Sequence, residues 1–201
     1  AAYHLYNHIW SKFCDWYIEF SKPLFSGDDV KLKIETQFTF AWVLDQCLIL
    51  LHPFMPFITE EIWQHNKNRK NLIVHETWPF FPNVFYSDDE SQKEINWIID
   101  LIQEIRSVRS EINIPASLKI HIKIISLNDQ LVKCIDNNKV FIEKLARVES
   151  IKNENSIQSG SINISIPGIE CFIPLENLID ISKEKSRLEK NYQKLKSEQY
   201  M

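Results

Sequence analysis

Apolar residues recur at Leu5, Ile9, Phe13, Trp16 and Phe20, with spacings of four, four, three and four. This periodicity lays one apolar face along a helix from about Tyr3 to Phe20. Tyr6, Trp10 and Tyr17 broaden the face. Pro23 and the run Ser26-Gly27-Asp28-Asp29 break the pattern, and a second helix is predicted from near Val30. Its stripe is Ile34, Phe38, Ala41, Leu44, Leu48 and Leu51. From Val43 to Leu51 only Asp45 and Gln46 interrupt the apolar run, the pattern of a helix that other elements surround. His52-Pro53 stops it, because Pro53 brings no N–H and disfavours helical geometry at His52. Pro56 suits the first turn of a third helix. Glu60 and Glu61 are expected near its N-terminus, where negative charge is favourable. Ile58, Ile62 and Trp63 give it an apolar side. The stretch VLDQCLILLHPFMPFITEEIW thus predicts a central helix, a proline corner and a second helix packed back on the first.

The remainder changes period twice. Lys67 to Asn71 is a polar, basic loop, and Leu72 to Val84, with Pro79 and Pro82, is expected to lie irregularly over the helices. Ser87 with Glu90 offers a capping box. A fourth helix runs to about Ile112, with Ile95, Ile98, Ile102, Ile105 and Ile112 inward and Arg106 and Arg109 away from that stripe. After Pro115 the period is two: Leu118, Ile120, Ile122 and Ile124 alternate with Lys119, His121 and Lys123, a strand with one wet face. Asp129 to Arg147 is helical, split near Asn137-Asn138, and Val148 to Ile151 predicts a short strand. Ile162 to Ile166 and Ile169 to Ile173 form a hairpin around Pro167-Gly168, central residues of a type II turn. Finally Ile181, Lys185, Leu188, Tyr192, Leu195 and Gln199 mark a thin helical seam. It matches half of a helical hairpin, or a solvated amphipathic tail.

The predicted fold is mainly α: a bundle of about four helices over 1–115, a small α/β unit over 116–180, and the first half of a coiled-coil arm over 181–201. Three glycines in 201 residues argue against a glycine-rich nucleotide fold. No uncharged apolar run reaches the roughly 18 residues of a membrane helix. The chain starts Ala-Ala-Tyr without a signal-peptide pattern and is helical by Leu5, so a piece of a longer chain is expected. Cys14, Cys47, Cys134 and Cys171 are scattered and read as reduced thiols of a cytoplasmic protein. His4 and His8 have metal-ligand spacing but no third ligand nearby, and no metal site is assigned. The net charge of −4 argues against a generally basic surface. Residues 182–201 nonetheless carry six basic and three acidic side chains, about +3 against about −7 for the rest.

In order, WSKFCDWYIEFSKPL, LHPFMPFITEEIWQ, VHETWP, IRSVRSEINIPAS and IECFIPLENLID cover essentially the whole chain. Together they resemble the C-terminal part of the bacterial valyl-tRNA synthetase family. HPFMPFITEEIW alone would indicate only a class I synthetase of the valine, isoleucine or leucine group. The resemblance implies the anticodon-binding bundle, the small α/β unit after it, and the start of the tRNA-binding arm. It implies a parent enzyme whose partner is valine tRNA and not DNA or membrane, expected to be monomeric. That parent joins valine to its tRNA with ATP and magnesium. HIGH-type and KMSKS-type signatures are absent here, so no catalytic residue and no cofactor is assigned to this chain. Apolar surface is expected where the catalytic body would lie. A non-catalytic helical interaction module, or the corresponding region of isoleucyl-tRNA synthetase, is the alternative.

Single-stranded anticodon bases are read by stacking and by hydrogen bonds to base edges, while Lys and Arg grip phosphates. Charge and helix face nominate Arg106, Arg109, Lys12, Lys22 and Arg69 as tRNA contacts, and Lys183, Lys185, Arg187, Lys190 and Lys194 on the arm. Trp10, Trp16, Trp42, Trp63 and Trp97 are expected in the core. The paired acids Glu60-Glu61 and Asp88-Asp89 are read as helix N-terminal charges.

Overall fold

The computed structural model describes residues 2–66, 69–81, 88–125, 128–154 and 160–175, with Glu189, Tyr192, Gln193 and Lys196 as isolated positions beyond them. Two compact units emerge, Ala1–Asp89 and Glu90–Met201.

In the first unit one helical run joins α1 (Ala2–Asn7), a π-helical stretch (His8–Tyr17) and α2 (Ile18–Phe25). The wider turn shows in Ile18, whose N–H reaches the Phe13 carbonyl five residues back. Pro23 does not end the run, as its position suggested. It lies in the last turn, and the helix closes just beyond it at Ser26. α3 (Val30–Leu51) begins at Asp29, whose carboxylate accepts the Leu32 N–H at 3.0 Å. It packs on the first run through Phe40, whose ring lies 5.4–5.8 Å from those of Phe13, Tyr17 and Phe25. Phe38, placed in the stripe by spacing, is instead exposed.

Nor is α3 surrounded. Only Cys47, Leu48 and Ile49 are buried, because α2 and α4 cover just part of its length. By length and composition alone α3 is long and apolar enough to cross a membrane. Yet it carries Lys31, Lys33, Glu35 and Asp45, and its C-terminal half contributes Leu48 and Ile49 to a core with Trp63 and Ile73.

The proline corner forms where expected: α3 ends at Leu51, and α4 (Pro56–Gln64) opens on Pro56. Buried Thr59 pins it. Its hydroxyl donates to the Met55 carbonyl at 2.8 Å and lies 2.8 Å from His52 Nδ1. The inward side of α4 is Thr59 and Trp63, while Ile58 and Ile62 are nearly half exposed. Glu60 and Glu61 fall beyond the first turn. Glu60 serves tertiary contacts instead, accepting the Ile73 N–H at 3.1 Å and so holding the 3₁₀ turn Ile73–His75.

In the second unit α5 (Asp89–Glu111) buries Ile98, Leu101, Ile102 and Ile105. Ser87, the expected cap, lies outside the described residues. α5 belongs with the sheet by its contacts: Trp97 Nε1 donates to the Pro167 carbonyl at 3.0 Å, and Glu94 accepts from Asn138 Nδ2 at 2.7 Å. β1 (Ile120–Ile125), α6 (Asp129–Asn137), α7 (Lys139–Leu145) and β2 (Val148–Asn153) follow, then the hairpin of β3 (Ser161–Ile166) and β4 (Ile169–Pro174). The sheet order is β2-β1-β4-β3, with β1 and β2 parallel and the other pairs antiparallel. Ile120, Ile122 and Ile124 point into the core, and His121 outward, as their alternation predicts. Gly168, at φ +89°, supplies the left-handed residue of the hairpin turn. The four isolated C-terminal positions hold only Tyr192, Glu189, Gln193 and Lys196, helical and exposed; the rest of the expected arm lies outside the described residues.

Candidate nucleic-acid interface

The arginine pair on α5 divides. Arg106 is exposed, with Nε donating to the Leu145 carbonyl at 2.9 Å. Arg109, expected to face away from the apolar stripe, is buried at 6% exposure. Its Nη1 donates to the carbonyls of Ala146 (3.4 Å) and Arg147 (3.0 Å), and its Nη2 to those of Pro115 (3.1 Å) and Leu118 (2.7 Å). A planar five-donor fork suits this task, and the four carbonyls draw the side chain inward. Desolvation lowers the Arg109 pKa, and the Arg147 cation lowers it further. Arg109 therefore ties the end of α5 to the loop before β1 and to the turn after α7.

Beside this strut lies a cavity of about 420 Å³ whose charged lining consists of Arg106, Arg109 and Arg147. Ser110, Ile114, Ala116, Leu145 and Ala146 complete it. Arg147 was not nominated by the sequence, since nothing local distinguishes it from any cation at a helix end. Its partner arginine is 38 residues away, and only folding brings them together.

The other described candidates lie in the first unit. Lys12 is exposed on the π-helical stretch, and Lys22 is exposed and paired with Glu19 one turn away. Arg69 is no free loop cation: it pairs with Asp45 and stacks over Trp63, its guanidinium carbon 3.6 Å from the ring centroid. Its Nη1 is buried without a hydrogen-bond partner. A cavity of about 500 Å³ adjoins it, walled by Phe40, Leu44, Leu48 and Ile62 with Asp45, Glu61 and His65 among its polar groups. Lys183, Lys185, Arg187, Lys190 and Lys194 lie outside the described residues.

Aromatics are more exposed than their helical spacing implies. Trp16 and Trp63 are buried, and Trp97 is half-buried. Trp10 and Trp42, expected in the core, are about half exposed, against Tyr6 and Phe81 respectively. Phe57, Phe80 and Trp78 also face outward. Of these, Phe57 lies on α4, while Trp78 and Phe80 lie in the irregular stretch after the 3₁₀ turn.

Burial pushes the thiols of Cys47 and Cys134 up to about 11 and that of Cys171 up to about 12, so they stay protonated at neutral pH. Among the described residues no three His, Cys, Asp or Glu side chains converge as metal ligands.

Comparison with known proteins gives a consistent result. The family described as the anticodon-binding domain of tRNA ligase matches residues 1–124. The chain is 42% identical over 198 residues to the valine–tRNA ligase of Ruegeria pomeroyi, covering 98% of the chain and 19% of that protein. It is 43% identical over 194 residues to that of Rhizobium meliloti, covering 94% and 20%, and 37% identical over 198 residues to that of Bacillus subtilis, covering 97% and 22%. The chain thus spans about a fifth of the length of the curated relatives it matches.

Proposed function

We propose a function on one premise: the chain belongs to the family of anticodon-binding domains of tRNA ligases. Within that family it is the tRNA-binding, anticodon-recognising region of a valine–tRNA ligase. The longer parent is a cytoplasmic enzyme that joins valine to its tRNA with ATP, and this region positions the tRNA without taking part in bond making. The observation that carries the reading is likeness to valine–tRNA ligases along nearly the entire chain.

The geometry supports it. Outward-facing aromatics such as Trp10, Trp78 and Phe80 offer faces on which unstacked bases can lie. Exposed cations at Lys12, Lys22 and Arg106 offer backbone contacts, and the basic stretch over 182–201 adds more. The remaining apolar surface of the first unit, including Phe57 and Ile58, packs against the rest of the parent polypeptide.

The test is aminoacylation and tRNA binding by the full-length parent. It should charge valine tRNA and not isoleucine tRNA, and binding should weaken when the central anticodon base is changed. Preference for isoleucine tRNA would overturn the valine assignment. Binding that ignores the anticodon at every salt concentration would overturn the recognition role.

A further inference from the structure

We propose that the arginine-lined cavity at the ends of α5 and α7 binds a phosphodiester group of the tRNA backbone. Arg147 and Arg106 are its ligands, and Arg109 is a positioning residue. The proposal rests on the tRNA reading above and specifies one contact within it.

The first observation is backbone strain. Arg147 has φ +54°, the left-handed region, which is costly for a residue with a Cβ. It sits just past the end of α7, after Ala146, where a helix commonly closes on glycine. The surrounding structure imposes that conformation. The Arg147 carbonyl accepts the Ile120 N–H at 3.1 Å and Arg109 Nη1 at 3.0 Å, so β1 and the strut fix the turn together. Glycine would satisfy the same bonds without strain. An arginine held there points to a use for its side chain.

The second observation is what that side chain meets. Arg147 is exposed and makes no side-chain hydrogen bond or ion pair among the described residues. It lines the cavity with Arg106 and Arg109, and no carboxylate belongs to the lining. The exposed Arg147 guanidinium thus brings to this lining a positive charge that an anion can engage. Guanidinium forks match phosphate oxygens in bidentate geometry. Arg106 is aimed by its bond to the Leu145 carbonyl, and Ser110 belongs to the same wall. A backbone phosphate gives grip without sequence information, so this contact sets register and not identity.

An arginine serving only the C-terminal dipole of α7 would give a different result on substitution. The experiment measures binding of valine tRNA and a non-cognate tRNA to the full-length parent across a salt series, alongside thermal melting. Arg147→Gly should bind both tRNAs several-fold more weakly, with a salt slope shallower by about 0.7 to 0.9. Its melting temperature should be unchanged or higher, because the strain is relieved. Arg147→Gln, which keeps the strain and removes the charge, should lose the same affinity. If both variants bind like the parent while the parent binds valine tRNA, the phosphate site is wrong and the tRNA reading stands. Lower melting of Arg147→Gly with binding intact assigns the residue to the helix end and also overturns the site. A parent that binds no tRNA removes the functional reading and this inference together.

Discussion

Replacing Arg109 by methionine keeps most of the side-chain volume and removes all four hydrogen bonds to main-chain carbonyls. Two acceptors retain partners: the Pro115 carbonyl takes the Leu118 N–H, and the Arg147 carbonyl takes the Ile120 N–H. The Leu118 and Ala146 carbonyls take no other hydrogen bond among the described residues. Each stranded carbonyl costs about 1–3 kcal/mol when water cannot reach it, and Leu118 lies where water partly can. Relief of the buried charge offsets part of the loss, leaving about 2–3 kcal/mol. Hydrogen exchange over residues 118–125 should therefore quicken roughly 30- to 150-fold in Arg109→Met. Arg109→Lys, with one point of donation in place of a fork, should fall between. Exchange within about threefold of the parent in Arg109→Met would refute the strut, as would tRNA binding lost with exchange unchanged.

Three further outcomes follow from local geometry. Gly168→Ala should destabilise the second unit more than Gly160→Ala: both have φ near +90°, but only at Gly168 would a Cβ meet Leu131 Cδ1, at 2.6 Å. Equal shifts in urea midpoint would show that the turn relaxes freely. Thr59→Val should cost about 1–2 kcal/mol, since it removes the buried hydroxyl from Met55 and His52, and an unchanged midpoint would deny that this contact pins the corner. Cys171 is raised to about 12 in the folded chain, so its neutral thiol supports folding below the ordinary thiol range and loses that contribution as pH rises from about 9 towards 12. Stability measured over that range should fall less steeply in Cys171→Ala; identical slopes would refute the assignment.

The elements and most of their boundaries are legible in the amino-acid sequence, because backbone punctuation acts over a few residues. Pro56 opens α4, Asp29 caps α3, Asn137-Asn138 splits α6 from α7, and Pro167-Gly168 turns the hairpin. The strict alternation of Ile120, Ile122 and Ile124 likewise leaves no choice of inward face. Family resemblance was legible too, because whole segments are retained in order along the chain. Tertiary structure alone decided which helix faces meet something. α3 is apolar nearly all round, so its pattern cannot choose between Phe38 and Phe40, and the rings of Phe13, Tyr17 and Phe25 make that choice. A charged side chain is the harder case. Arg69 and Arg109 look like surface cations until Trp63 with Asp45, and four main-chain carbonyls, are seen to enclose them. Arg147 became a candidate only once its left-handed backbone was visible. Periodicity records which way a side chain points along its own helix, whereas its partners are set by distant segments that only the folded chain brings within reach.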